Sequence, residues 1–360
     1  MNDSETGYRA GRRSFLKASG ILAVGAALSK QSFAEDVKAA QLQTPSGKPL
    51  RGLFPILQTP FTEKDELDTE ALAAEVRFIQ RGGVAGMIWP VFASSWSTLS
   101  DAERLRGAET VLAAARGGKS IAAIAVQNTA WDIPTSIRYA KHAAEHGADA
   151  IVATPPNNGW NRSDQSILEY YKAIGAATSL PLIVQTRGTM SVDLMVEMVK
   201  QIPTMKATKD EVGNPLERAP ELIKRTDNKL AIWAAGGGTG TNLLAELPMG
   251  FAGLCPTPQY SDVLQQVMEL YWRGEKQAAF DMYGRVQAFA TIPGATDYLM
   301  VARGVFKETT KLRQQPIEPE ARAAEGGGGG GDRRDVPLTD AQKVRIREAL
   351  NLYLKPYLRA

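Results

Sequence analysis

The stretch Pro203-Thr-Met-Lys-Ala-Thr-Lys-Asp-Glu-Val-Gly-Asn214 is the most informative segment of the chain. Its small and apolar residues predict a short buried strand, which carries Lys209 to the start of a loop that leads into a helix. In a barrel of parallel strands the substrate lies at the carboxyl ends of the strands. Lys209 is therefore a candidate nucleophile whose amine can attack a keto group. Lys206, an odd number of residues earlier, is expected on the opposite face of the strand.

The rest of the chain alternates short apolar runs with longer amphipathic segments. This alternation is typical of repeated strand-helix units around a parallel sheet. The predicted strands lie near residues 52–57, 86–89, 120–125, 150–153, 182–185, 205–209, 230–234 and 253–255, and the predicted helices near 69–80, 102–115, 134–146, 165–177, 192–201, 215–225 and 242–246. Ser100 and Glu103 form a predicted capping box at the start of the second helix. No Gly-x-Gly-x-x-Gly turn follows the first strand, so we expect a TIM (β/α)8 barrel rather than a doubly wound sheet.

The first 34 residues predict an export signal. Two arginines, Arg12 and Arg13, stand before an apolar run over residues 18–28, and Ser32-Phe33-Ala34 offers a signal-peptidase site. The pattern resembles a twin-arginine signal, and it predicts a periplasmic or secreted protein that folds before export. A membrane anchor or a buried helix is the alternative, but the run is short for a bilayer span.

Composition narrows the function classes. The chain has 42 basic and 39 acidic residues, and residues 1–34 hold five of the basic and two of the acidic ones, so the remainder is about neutral. A neutral surface gives no sign of nucleic-acid binding or of a basic membrane patch. Cys255 is the only cysteine, which excludes an internal disulfide.

The predicted domain order is simple. A linker over 35–50 precedes the barrel over 51–258, and helical segments follow over 259–320. Six glycines at 326–331 indicate a flexible linker over 321–336. Thr339 and Asp340 then open a predicted last helix within 337–360.

Several short motifs carry a family resemblance over residues 51–306. They are the lysine stretch, Leu53-Phe-Pro-Ile-Leu-Gln-Thr-Pro-Phe61, Gly82-Gly-Val-Ala-Gly86, Thr98-Leu-Ser100 with Glu103, and Gly147-Ala-Asp-Ala150 leading to Thr154-Pro155. Together they resemble the dihydrodipicolinate synthase and N-acetylneuraminate lyase family. The resemblance implies a TIM barrel that acts on a 2-keto acid through a lysine Schiff base, with Lys209 as that lysine and Gly213 as the glycine that follows it. It also implies a homo-oligomer that needs no metal and no cofactor.

Three site loops depart from the pattern of this family. Residues 91–95 replace its Gly-Thr-Thr-Gly-Glu motif, and Ser94 and Ser95 are the candidate donors there. Its Tyr-Asn-x-Pro motif reads Gln185-Thr-Arg-Gly188, and a glutamine cannot perform acid-base chemistry. Arg187 is a candidate clamp for a carboxylate, although it can instead pair with a surface acid. Asn157, in the altered loop after the predicted strand at 150–153, is a candidate substrate contact.

Two further motifs each allow two interpretations. The run Gly236-Gly-Gly-Thr-Gly240 can cradle a phosphate or form a tight backbone bend beside the ligand, and we favour the bend, with Gly236 as a candidate binding position. The sequence His142-Ala-Ala-Glu-His146 has the order of inverted zinc peptidases. It also fits the end of an ordinary outer helix, which we favour, because a helix C-terminus suits histidine without a metal.

These observations predict an exported Schiff-base lyase of the class I aldolase or dehydratase type that acts on a pyruvate-like or sugar-derived 2-keto acid. The alternative is a degenerate barrel that binds a small acid or sugar without turnover and keeps Lys209 as a charged contact.

Overall fold

The computed structural model describes residues 37–314 and 337–360. The predicted export signal and the predicted glycine-rich linker lie outside these residues, so the predicted domain boundaries stay predictions. Within the described ranges, no helix is both long enough and apolar enough to cross a membrane.

The described residues form ten strands, of which eight build a parallel barrel. The strands are β1 (Gly52–Leu53), β2 (Pro60–Phe61), β3 (Gly86–Trp89), β4 (Ile121–Ala125), β5 (Ala150–Ala153), β6 (Leu182–Gln185), β7 (Met205–Asp210), β8 (Ala231–Ala234), β9 (Gly253–Leu254) and β10 (Lys311–Leu312). The barrel order is β1-β9-β8-β7-β6-β5-β4-β3. A parallel bridge between Ile56 and Ile88 joins the two edge strands. The predicted TIM barrel is confirmed.

The first strand is shorter than the predicted 52–57. Pro55 interrupts it, because proline has no N–H to donate to the ladder. The Pro55 carbonyl still accepts from the Ile88 N–H at 3.0 Å, which holds the chain against β3. The barrel therefore closes through isolated pairings at this seam.

Two large aromatic rings fill part of the barrel interior, and glycines lie against them. Phe54 and Trp233 stack with ring centroids 3.8 Å apart. A Cβ added at Gly86 would lie 2.4 Å from the Phe54 ring, and one added at Gly253 would lie 2.5 Å from Trp233. Because these glycines have no side chain, the two rings can occupy the space beside them. The result is the dense packing of a protein core.

Eleven α-helices lie in the described part of the chain: α1 (Thr69–Arg81), α2 (Asp101–Ala115), α3 (Ile133–Glu145), α4 (Asp164–Gly175), α5 (Val192–Gln201), α6 (Pro215–Arg225), α7 (Leu243–Glu246), α8 (Ser261–Trp272), α9 (Lys276–Ala290), α10 (Ala295–Ala302) and α11 (Asp340–Ala349). Each of α1 to α6 begins at a side chain that accepts from a backbone N–H of its first turn, namely Asp68, Ser100, Asp132, Ser163, Ser191 and Asn214. Such caps contribute about 1 kcal/mol each. The predicted capping box of Ser100 and Glu103 is confirmed.

The C-terminal segments pack back on the barrel. Ile346, Leu350 and Leu354, on α11 and the turn that follows it, are buried. Strand β10 pairs antiparallel with β2, which the sequence did not indicate. Next to β10, Arg313 places its guanidinium 3.8 Å from the centre of the Phe61 ring and bonds to Glu103 at 2.9 Å. This pairing ties the segment after β1 to the segment after α10.

Candidate active site

Lys209 lies near the carboxyl end of β7, as predicted. Its Cα pairs in register with Gln185 on β6 and with Trp233 on β8. It lies two residues after Ala207, which belongs to the apolar cluster inside the barrel. Since residues two apart share a face of a strand, Lys209 faces the interior. Only 6% of the residue is exposed, so its ammonium must find partners within the protein.

The main partner of Lys209 is Glu211, to which the sequence analysis gave no role. The Lys209 Nζ donates to Glu211 Oε1 at 2.5 Å. On the other oxygen, Gln185 Nε2 donates to Glu211 Oε2 at 2.5 Å, and Arg187 approaches to 3.6 Å. The signal available in the sequence was the spacing, because residues 209 and 211 share one face of an extended segment. The structure thus brings Lys209, Gln185 and Arg187 together around one carboxylate.

Two opposing influences act on the Glu211 carboxyl. Burial is the larger single influence and raises its pKa. The charges of Lys209 and Arg187, with hydrogen bonds from Lys209 and Gln185, together outweigh burial and hold the pKa of Glu211 below its usual range. Glu211 is therefore ionised while both cations keep their charge.

A second network fixes the strand end that carries this pair. Thr186 donates to Asp210 Oδ1 at 2.7 Å and accepts from the Glu211 N–H at 2.8 Å. Arg218 on α6 donates from Nε to both Asp210 oxygens, at 3.0 and 2.8 Å. Asp210 points away from Lys209 by strand alternation, so it holds the backbone rather than the ligand.

Several buried polar atoms without a partner lie in the ladder row that runs from Lys209 across the neighbouring strands. Among the described residues they include Gln185 Oε1, Thr154 Oγ1 and Gln127 Oε1. All three residues are at most 1% exposed. The ladder pairs Gln185 with Lys209, and extending the pairings of β5 with β6 and of β4 with β5 places Thr154 and Gln127 in the same row. Buried polar groups are normally hydrogen-bonded, so this row has unused capacity for a ligand.

Ser94 and Ser95 hold their loop in place in this structure. The Ser94 hydroxyl donates to the Leu57 carbonyl at 2.5 Å and accepts from the Val91 N–H at 3.2 Å. Ser95, in the left-handed region with φ 52°, donates to the Arg313 carbonyl at 2.5 Å. Their predicted contact with substrate stays a prediction.

The loops after β5 and β6 touch at the rim. The Arg187 guanidinium lies 4.6 Å from the centre of the Phe92 ring as well as near Glu211. A Cβ added at Gly159 would lie 2.7 Å from the Arg187 carbonyl oxygen, so only glycine permits this approach. Asn157, in the same loop, is exposed with φ 48°. Arg187 therefore meets Glu211, whereas Asn157 lies at the surface of the rim.

The glycine run after β8 forms a tight bend. Gly236, Gly237 and Gly240 all have positive φ, and the Thr241 N–H donates to the Gly236 carbonyl at 3.2 Å. A Cβ added at Gly236 would lie 2.8 Å from Leu254. The bend follows the strand beside β7, so Gly236 stays a candidate binding position.

Cys255 lies inside the barrel close enough to Lys209 and Glu211 for their charges to affect it. Burial raises the pKa of its thiol to about 12, and Lys209 opposes this rise. The thiol is therefore protonated at neutral pH and is not a second nucleophile.

Comparison with known proteins identifies the family. The model of the dihydrodipicolinate synthetase family matches residues 49–297, which is most of the chain. The chain belongs to the dihydrodipicolinate synthetase family. A 4-hydroxy-tetrahydrodipicolinate synthase of Methanosarcina mazei is 28% identical over 52% of this chain and 64% of that protein. An L-2-keto-3-deoxyarabonate dehydratase of Azospirillum brasilense is 25% identical over 66% of this chain and 77% of that protein.

Solved structures of the family share the fold. The N-acetylneuraminate lyase of Mycoplasma synoviae has a TM-score of 0.66 and 18% identity, and the match covers 86% of this chain and 98% of that one. The sequence match to the Methanosarcina relative spans less than two thirds of that protein's length. The Glu211 carboxylate bound to Lys209 and the row of unpartnered polar atoms are observed in this chain itself.

The histidine motif forms a cluster with a different glutamate from the one that the motif names. His142 Nε2 lies 3.0 Å and His146 Nε2 lies 3.9 Å from Oε1 of Glu109 on α2. Among the described residues, the grouping of potential metal ligands here is Glu109, His142 and His146, without Glu145. The favoured interpretation of an outer-helix end is confirmed, because α3 ends at Glu145 and His146 caps it.

Proposed function

We propose that this protein is a lyase that forms a Schiff base between Lys209 and a 2-keto acid. The observation that carries the proposal is the buried Lys209 in one row with Gln185, Thr154 and Gln127, whose polar atoms have unused hydrogen-bonding capacity. Family membership supports it, because the named relatives include a synthase and a keto-acid dehydratase. The lysine imine supplies the electron sink, so the proposed reaction uses no separate cofactor.

The unpartnered atoms favour a hydroxylated substrate. Gln127 Oε1 and Gln185 Oε1 are carbonyl oxygens that only accept hydrogen bonds, so a ligand that satisfies them must bring donors. The hydroxyl groups of a sugar-derived 2-keto acid are such donors. Arg187 is the proposed contact for the carboxylate of that acid.

A dehydration fits these groups with few additional requirements. Once the iminium forms at C2, loss of a proton from C3 gives an enamine. Expulsion of the C4 hydroxyl, with a proton, as water then gives a conjugated iminium, which hydrolyses to release product and Lys209. An aldol cleavage begins from the same iminium and breaks the C3–C4 bond instead. We propose dehydration or aldol cleavage of a sugar-derived acid, and export and homo-oligomer assembly stay predictions.

Borohydride trapping tests the proposal. The full-length protein is incubated with pyruvate or with 2-keto-3-deoxy sugar acids, reduced, digested and mapped by mass spectrometry. We expect a reduced adduct on Lys209 that Lys209→Arg abolishes and that Lys206→Ala, the matched control on the same strand, retains. An adduct on another lysine, or none with any acid, would overturn the proposal.

The second candidate function is binding without turnover. The tight pair of Lys209 with Glu211 favours it, because a lysine held as an ammonium is not a nucleophile. Calorimetry separates the two functions. Saturable binding of the acids with no adduct and no product would establish the binding protein.

A further inference from the structure

The Glu211 carboxylate touches the atom that must react. Its Oε1 accepts from Lys209 Nζ at 2.5 Å, and its side chain is 15% exposed. Gln185 stands where the Tyr-Asn-x-Pro motif of the resembling family has its tyrosine, and it binds the other Glu211 oxygen. Glu211 is thus the ionisable group placed directly on the proposed nucleophile.

We propose that Glu211 is the general acid-base residue that moves protons during Schiff-base formation. This inference rests on the proposed function. Glu211 first takes a proton from the Lys209 ammonium, and the free amine then attacks C2, forming the C–N bond while the C=O π bond opens to an alkoxide. Glu211 returns that proton to the alkoxide, which gives a carbinolamine with a protonated nitrogen.

The same carboxyl completes the step. It takes a second proton from the carbinolamine nitrogen and delivers it to the hydroxyl, which leaves as water while the nitrogen lone pair forms the iminium. Both protons of the departing water thus come from the original ammonium. The site ends with a carboxylate beside a cationic iminium, which is the same charge pair with which it began.

Burial makes this exchange feasible. In the resting site the Lys209 charge helps to lower the pKa of Glu211 against the effect of burial. When Lys209 gives up its proton, that attraction disappears while burial remains, so the carboxyl becomes a better proton holder. The backbone hydrogen bond from Glu211 to Thr186 keeps the carboxylate near the nitrogen throughout.

The alternative is that Glu211 merely occupies the place of the substrate carboxylate, since Gln185 and Arg187 both face it. Removing an occluding side chain would speed the reaction. Removing an acid-base group would slow it, typically by about a hundredfold or more. The two roles therefore predict opposite effects of Glu211→Ala.

The experiment measures the rate of pyruvate trapping against pH for wild type, Glu211→Gln, Glu211→Asp and Glu211→Ala, with melting temperatures to verify folding. We expect Glu211→Gln to be slowed about a hundredfold, with a rate that climbs as pH rises because solvent must now deprotonate Lys209. Glu211→Asp should be less impaired, and added formate should rescue Glu211→Ala.

Each other outcome has a definite meaning. Trapping of Glu211→Gln and Glu211→Ala at the wild-type rate or faster would overturn the acid-base role and leave the Schiff base intact. Wild type that is never trapped would overturn the proposed function and this inference with it. Slow variants without formate rescue and with an unchanged pH profile would also contradict the role.

A second, independent observation concerns the outer helices α2 and α3. Glu109, His142 and His146 each offer one ligand atom, and these atoms all lie within 4.8 Å of one another. The two imidazole rings lie 4.2 Å apart, one helical turn from each other. We infer that this cluster binds a divalent ion of the zinc class.

The hydrogen bonds of the cluster prepare its histidines for this role. His146 Nδ1 lies 2.8 Å from the His142 carbonyl oxygen, which can only accept, so Nδ1 carries the proton of the neutral ring. The lone pair then lies on Nε2, which faces Glu109. Metal-binding histidines usually donate their other ring N–H to a carboxylate, a backbone carbonyl or water, and the His142 carbonyl is such a partner for His146. Two imidazoles and a carboxylate with open positions for water suit zinc.

Calorimetry with zinc chloride alone, on chelator-treated full-length protein, tests the site. We expect saturable binding by wild type, and at least about a tenfold loss in His146→Ala and in Glu109→Gln. Glu145→Gln is the matched control and should bind like wild type. Absence of saturable binding, or loss in Glu145→Gln with retention in Glu109→Gln, would overturn the assignment.

Discussion

Two buried ion pairs in this protein have the same charges but different surroundings. Arg303 holds Asp262 with two hydrogen bonds of 2.8 and 2.7 Å, and both side chains are at most 2% exposed. The backbone N–H of Arg359 also donates to Asp262 at 2.8 Å, and Arg303 bonds to the Ala360 carbonyl. Both Asp262 oxygens are thus occupied.

The pair of Lys209 with Glu211 sits instead beside polar atoms that have no partner. Gln185, which binds Glu211, keeps its own Oε1 unpartnered in the described structure. The Asp262 carboxylate has both oxygens bonded and connects α8 to the segment after α10, while Arg303 Nε has no partner among the described residues. Near Lys209, several partnerless polar atoms lie in one row of the barrel interior, which costs stability and leaves hydrogen-bonding capacity for a ligand. This grouping around a candidate nucleophile distinguishes the candidate site from the scaffold.

Replacing Lys209 should have the largest effect on turnover, because it removes the proposed nucleophile from the pair with Glu211. We expect Lys209→Ala to lower turnover by more than about a thousandfold, because no other described group can form the imine at this position. The measurement is steady-state turnover of the acid found by trapping. Lys206→Ala should stay near wild type, and comparable losses in both variants would point to a folding defect.

Breaking the pair of Arg303 with Asp262 should affect stability rather than chemistry. Arg303→Met leaves Asp262 buried without its cation, which should cost about 3–5 kcal/mol in the free energy of unfolding. Denaturant titration measures this loss. Turnover per folded molecule should be unchanged, and a selective loss of turnover would show that the two pairs are not independent.

Glu246 differs from both ion pairs, because it is a buried carboxyl whose Oε2 has no partner among the described residues. Burial raises its pKa from the usual 4.5 to about 7. The folded state therefore binds more protons than the unfolded state between these values, so stability falls as pH rises through this window and levels off above it. Glu246→Gln should be more stable at pH 8, by at most about 3 kcal/mol.

The measurement is the free energy of unfolding of both proteins from pH 5 to pH 8. The gain of the variant should grow with pH, and a constant difference would contradict the assigned pKa.

The Thr154 hydroxyl, which has no hydrogen-bond partner in the described structure, should give the smallest effect when it is removed. Thr154→Val removes a buried hydroxyl without a partner and keeps the shape, so stability should rise by about 1 kcal/mol. Binding of a hydroxylated keto acid should weaken by about tenfold, since Val offers it no hydrogen bond. Thermal unfolding and calorimetry measure the two effects. A variant that gains stability without losing affinity would remove Thr154 from the site.

Much of the barrel was predictable because its signals are local. Alternating apolar runs, helix caps such as Ser100, and the lysine at a strand end lie within short windows of sequence. Strand alternation sends Lys206 and Lys209 to opposite faces, and the family resemblance with the strand-end position then selects Lys209 for the interior.

The missed features depend on pairing between distant segments. Thr154 and Gln127 join Lys209 only through the register of three neighbouring ladders, which no single segment encodes. The hydrogen bonds from Ser94 to the Leu57 carbonyl and from Ser95 to the Arg313 carbonyl join segments that are remote in sequence, so the sequence did not predict them. The pair of β2 with β10 was missed for the same reason.

The docking of α11 makes the C-terminal segment a natural candidate for fragment complementation. Leu354 is fully buried and Ile346 is 1% exposed, while Leu338 packs against Gly294 just before α10. A protease site engineered into residues 315–336 would leave both ends of the cut outside the described contacts. The piece that contains 337–360 should then stay bound after cleavage, and a split version of this protein could report the association of two fusion partners by recovering its folded barrel.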